Sequence, residues 1–93
     1  MIKTAEQALE SVCERLRKQA KRIAAAIQSE RRQAGALRTD IDRLKAQADP
    51  DDERIKQLKN ELANLTAEID EEAAALDELN EHIAENCPLE PAE

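Results

Sequence analysis

Apolar residues in the first half of the chain recur at Leu9, Cys13, Leu16, Ala20, Ile23, Ile27, Ala34, Leu37, Ile41, Leu44 and Ala48. Glu30 holds the one charged place in that series. The steps alternate four and three, the heptad spacing that lays an apolar stripe along an α-helix and draws it into a coiled coil. The second half repeats the pattern at Ile55, Leu58, Leu62, Leu65, Ile69, Ala73, Leu76, Asn80, Ile83 and Cys87. Two four-residue steps in a row, from Leu65 to Ile69 and on to Ala73, predict a stutter that locally unwinds the supercoil.

Between the two stripes lies Asp49-Pro50-Asp51-Asp52-Glu53. The residue before a proline is pushed out of helical dihedrals, so helix one is expected over about 2–48. Asp49 is the expected N-cap, Pro50 suits a first helical position, and the acids that follow suit the positive end of a helix dipole. This predicts a turn at 49–50, helix two over about 50–86, and a short irregular tail at 88–93. The rival topology is one unbroken helix, kinked at Pro50 and paired with a second copy. Proline is comfortable in a first turn and costly in mid-helix, which favours the hairpin.

Doubling the chain back at Pro50 aligns the stripes. Leu44 with Ile55, Ile41 with Leu58, Leu37 with Leu62, Ala34 with Leu65, Ile23 with Leu76 and Leu16 with Ile83 meet at equal heights. The predicted fold is therefore all-α, an antiparallel two-helix coiled-coil hairpin forming a single domain over 1–93. Each helix should run about 50–70 Å at 1.5 Å per residue. Two lone helices bury little apolar surface, so dimerisation into a four-helix bundle is the expected way to bury more.

Composition sharpens this picture. The 93 residues include no Phe, Tyr or Trp, and Gly35 is the single glycine. A globule usually leans on aromatics in its core and glycines in its turns. Ala, Leu, Glu, Arg, Lys and Gln dominate instead, the strongest helix formers. Lack of aromatics also removes the platforms on which single-stranded nucleic acid stacks, so no direct nucleic-acid partner is expected. No apolar run is long enough for a membrane span, and the opening residues lack an apolar signal region. The sequence thus predicts a cytoplasmic protein that does not use a membrane.

Charge divides between the halves. Residues 1–48 carry eleven Lys/Arg against six Asp/Glu, a net of +5, and residues 49–93 carry three against fifteen, a net of −12. A basic helix beside an acidic one is favourable overall. The flanks are less obliging: Arg38 falls on the same side as Lys59, and Asp40 on the same side as Glu61. Like charges there do not specify a two-stranded seam and leave room for more helices.

Several features bear on function. Cys13 and Cys87 stand symmetrically about the turn, in one layer near the open end. Their placement suits a disulfide that clamps the helices, whereas a reducing cytoplasm suits two small buried thiols; bridging between molecules is a third option. Ile23, Ala24, Ala25, Ala26 and Ile27 stand level with Ala73, Ala74, Ala75 and Leu76, a belt of small residues on every face. The belt suits close approach of another helix, although alanine also supports a helix with no partner. Gly35 marks either a bend, a close approach near Ala63, or a tolerated substitution. Glu30 is either a polar residue fixing register or one whose stem reaches out to water. His82 and Cys87, five residues apart, point from different faces, so no metal site is expected and His82 reads as a surface residue.

The tip, with Asp49, Asp51, Asp52 and Glu53, is an acidic cluster at the end of a rod. Some transcription factors that enter the RNA polymerase secondary channel present such tips, a fold-level analogy. Helix capping explains the same acids. Along helix two, Asp70, Glu71, Glu72, Asp77, Glu78, Glu81 and Glu85 suggest either mimicry of nucleic-acid phosphate or an ordinary solvated face. No phosphate loop, nucleophile elbow or His-based triad exists, and exposed carboxylates on a rod are poorly placed to have their acidity tuned. The chain is therefore expected to be a non-enzymatic structural or protein-interaction module, with no cofactor and no small-molecule substrate. Its expected partner is another protein, itself, or both. The alternative is a small acidic inhibitor or regulator, of the kind phages encode, acting on a nucleic-acid enzyme.

Overall fold

The computed structural model describes residues 5–87, and helix α1 (Ala5–Lys45) doubles back into α2 (Asp52–Asn86). The hairpin is a rod of 71 × 24 × 23 Å with a radius of gyration of 20.4 Å. A compact domain of this length would have a radius of only about 12 Å. The expected helix start near residue 2 and the tail at 88–93 lie outside the described residues.

The core is one residue wide. On α1 the buried side chains are Cys13, Ala20, Ile27, Ala34 and Ile41, each seven residues after the last. Leu16, Ile23, Glu30, Leu37 and Leu44 sit beside them half-buried, completing the heptad stripe. Ile41, Ile55 and Leu58 form one buried cluster near the turn, flanked by Leu37, Leu44 and Leu62. Ile27, Ala34 and Ile69 form a second toward the middle, flanked by Ile23, Leu62, Leu65, Ala73 and Leu76. These layers match the equal-height pairing expected of an antiparallel seam. Leu9 lies beyond the end of α2 and is 46% exposed, so it does not join the stripe as expected.

Two other details depart from the sequence expectation. Helix α1 ends at Lys45 rather than near Ala48, and the N-cap of α2 is Asp51, not Asp49. The Arg54 backbone N–H donates to Asp51 Oδ1 at 3.1 Å, and Pro50 stands just outside the helix. Residues 46–51 form the turn, where the Ala46 N–H donates to the Asp42 carbonyl at 3.1 Å and the Gln47 N–H to the Leu44 carbonyl at 3.3 Å. The seam of α2 also differs. Asn80 is exposed while Leu79 is half-buried, and Glu72 is half-buried beside Ala73. From Ile69 the stripe thus also runs through Glu72, Leu76, Leu79 and Ile83 in three-four alternation, while Ala73 packs against the central cluster as expected. Seam geometry keeps its period here although that admits a second carboxylate.

Gly35 approaches nothing: a Cβ there would meet no atom within 4 Å. The close approach near Ala63 is absent.

Candidate interaction surfaces

At the open end, Cys13 Sγ and Cys87 Sγ are 2.09 Å apart, at disulfide distance, with Cα atoms 5.8 Å apart. Cys13 is 1% exposed within the seam, while Cys87 caps the C-terminus of α2 and is half-buried. The last α2 bond runs from the Cys87 backbone N–H to the Ile83 carbonyl at 2.9 Å. The sulfurs therefore join a heptad core position to a helix end, where both strands of the rod would otherwise fray.

Further in, Glu30 and Glu72 occupy seam positions one layer apart. Glu72 Oε2 is shut away from solvent and has no hydrogen-bond donor among the described residues. Two ionised carboxylates cannot satisfy each other, since neither carries a donor. A proton on Glu30 supplies one. The Glu30 carboxyl is accordingly held above its ordinary value, first by a hydrogen bond with Glu72, then by partial burial, then by repulsion from Glu72 and Glu68. The neighbouring side chains along this edge of α1, Ala26, Ile27, Gln33 and Ala34, are uncharged. Apolar spacing alone does not reveal the pair, because Ala73, one residue on, is the natural apolar member of the stripe.

The alanine belt opens on one side into a groove of about 480 Å³. Its floor is Ile27, Leu76, Ala24, Ala25 and Ala73, and its α1 wall carries Lys21, Gln28 and Arg31. Ala26 faces elsewhere on α1, and Ile23 packs inward against the central cluster. The belt is thus divided: part of it completes the seam, and part is exposed apolar surface between cationic side chains.

The tip presents Asp49, Asp52 and Glu53 to solvent, and Asp51 is taken up by the cap. Of the acids on α2, Asp70, Glu71, Asp77, Glu78, Glu81 and Glu85 are exposed, whereas Glu72 belongs to the seam. His82 is exposed, its ring nitrogen 3.2 Å from Asn86 Nδ2. Among the described residues no three His, Cys, Asp or Glu side chains converge on a point that would hold a metal ion. No described helix is long and apolar enough to cross a membrane.

No known protein family, curated protein or solved structure matches this chain.

Proposed function

We propose that the chain is a non-enzymatic protein-interaction module: a stiff hairpin that self-associates through its alanine belt. The groove over Ile27 and Leu76 carries this reading, since it leaves apolar surface where small side chains permit close approach of another helix. Sedimentation equilibrium of the whole chain over a concentration series tests it. A mass rising above the 10.4 kDa of one chain is expected, and Ala24→Glu combined with Ala73→Glu should return the protein to monomer. A wild type that stays monomeric throughout, or a dimer indifferent to both changes, would end the proposal.

A second reading has one observation behind it. Between residues 68 and 85, α2 carries eight Asp/Glu and no Lys/Arg. Such a face suits a basic groove on a nucleic-acid enzyme, and binding of that kind would be competed away by DNA or by salt. Self-association without any partner separates the two readings.

The cytoplasmic location expected from the sequence fits the reduced pair, with Cys13 and Cys87 packed as thiols. The bonded pair fits an oxidising compartment. Native mass spectrometry of protein taken directly from its source, with and without reductant, reads the state as a two-dalton difference.

A further inference from the structure

From the charges around the groove we infer that its occupant is α2 of a second copy, laid parallel to the first rod with both tips at the same end. The inference rests on the self-association proposed above and specifies its geometry.

Ala24 on α1 and Ala73 on α2 both line the groove and so stand at about the same height. Because the helices are antiparallel, moving down-chain on α1 and up-chain on α2 both lead toward the open end. Lys21, three residues before Ala24, is ~4.5 Å toward that end, and Asp77, four residues after Ala73, is ~6 Å toward it. On the tip side, Asp70 lies ~4.5 Å from the level of Ala73, and Gln28 and Arg31 lie ~6 and ~10 Å from that of Ala24. Helical side chains lean toward their own N-terminus, which brings the Arg31 guanidinium back toward the level of Asp70. Asp70 and Asp77 stand three before and four after Ala73, so they share its face. All four charged residues are exposed, and none has an ion-pair partner among the described residues.

A two-fold axis running along the rods places α1 of one copy over α2 of the other at matching heights. Lys21 then meets Asp77 of the second copy, and Gln28 and Arg31 bracket its Asp70. Symmetry repeats each contact, giving two cationic and two anionic clusters that satisfy one another. Between them, Ala24 and Ala25 lie against Ala73 and Ala74 with no bulky side chain to hold the helices apart. The alternative two-fold, across the rods, would stack α1 on α1 and set Lys21 and Arg31 against cations of the same helix. Charge therefore selects the first arrangement. It also limits its extent. Nearer the tip the same side sets Arg38 against Lys59, like against like, while Lys56 falls near Asp42, three heptads after Lys21, so the Arg38–Lys59 repulsion makes the copies touch most closely over the open half. So short a contact falls at the small end of specific interfaces and predicts a weak dimer.

The test is a charge swap followed by sedimentation equilibrium on the whole oxidised chain. One variant carries Lys21→Asp and Arg31→Asp, the other Asp70→Lys and Asp77→Lys. Each alone should dimerise about tenfold more weakly or worse, since every cross-copy pair becomes repulsive. Mixed in equal amounts, the two should form a heterodimer at least as tight as the wild type, because every contact is then again between opposite charges. Circular dichroism checks that each variant is helical; should either lose helicity, the salt dependence of the wild type decides in its place, and weakening as salt rises is expected. A mixture that associates no better than its components, or a wild-type dimer indifferent to salt where the variants cannot be used, would overturn this arrangement. If the belt variants abolish the dimer while the charge variants leave it intact, self-association stands and this geometry falls. A wild type monomeric at every concentration removes both.

Discussion

The two ends of the rod are held by different means. Near the tip, the turn and the Asp51 cap bring α1 and α2 together, and Ile41, Ile55 and Leu58 fill the seam with branched aliphatic side chains. Toward the open end the buried positions pass to Ala34, Ile27, Ala20 and Cys13, while Glu30 and Glu72 place two carboxyls in the same seam. Alanine buries little surface, and a carboxyl gives up hydration to be there. The tip half is packed by branched aliphatic layers throughout, whereas the open half mixes Ile27, Ile69 and Leu76 with alanine and two carboxyls and is closed by a pair of sulfurs. Small seam residues lower cohesion within the hairpin, and the same smallness leaves the belt open to a second helix.

Removing the covalent closure should break this contrast most visibly. Cys13 and Cys87 are 74 residues apart, and freeing a loop of that size costs about 4 kcal/mol on the chain-entropy account. Cys13→Ser with Cys87→Ser, or reduction of the wild type, should lower the melting temperature steeply. Hydrogen exchange should then accelerate first over residues 13–27 and 76–86 while 37–62 keep their protection. Uniform loss of protection along the rod would show that the two halves are one cooperative unit. Leu58→Ala attacks the other half and should cost about 2–3 kcal/mol, the low end for a buried leucine because a rod this thin lets water into the space left. In the oxidised protein that loss should show as faster exchange near the turn, with the open end still tied. An effect below that of an exposed substitution would mean the aliphatic layers are not what holds the tip.

How much of this contrast can be read from residues alone differs along the chain. The α1 stripe needed only its spacing, because nearly every member is apolar and the period never slips. On α2 the period is equally regular, but it passes through Glu72, and apolarity points to Ala73 instead. Following apolarity moves the next polar step to Asn80 and hides Leu79. The turn is ambiguous for a related reason. Asp49 and Asp51 both have capping chemistry, and nothing in the residues alone selects the second, which the structure uses. The cysteines share a layer by counting, yet whether the sulfurs are bonded depends on the surroundings as well as the spacing. The belt is symmetric in sequence; that its groove opens beside Lys21 and Arg31 follows from the way the two helices are rotated against each other.

Where the halves meet, Gly35 offers a smaller test. It lies inside α1 with free space around it, so Gly35→Ala should stabilise by about 0.5–1 kcal/mol through helix propensity and a less flexible unfolded chain. A destabilised variant, seen in a thermal melt, would mean that α1 needs a bend at the junction. Exchange protection should rise on both sides of the substitution if the helix transmits order between the halves.

The finest distinction is electrostatic. Glu30 titrates above its ordinary value in the folded hairpin because its proton is shared toward Glu72 and its charge is opposed by Glu72 and Glu68. A group whose folded value is raised binds its proton more tightly when folded, so its contribution is complete at pH below the unfolded value and is lost as pH rises through the folded one. The open half should therefore tighten as pH falls from neutrality toward the carboxylate range. Titration of the exposed acids overlaps this change, so the comparison must be with Glu30→Gln. Glutamine offers Glu72 a donor at every pH and carries no charge. The variant should melt higher than the wild type near pH 7, and the gap should narrow on acidification to about pH 4 as Glu30 takes up its own proton. A gap that stays constant across that interval would show that the two carboxyls do not share a proton, and the open half would then owe its weakness to alanine alone.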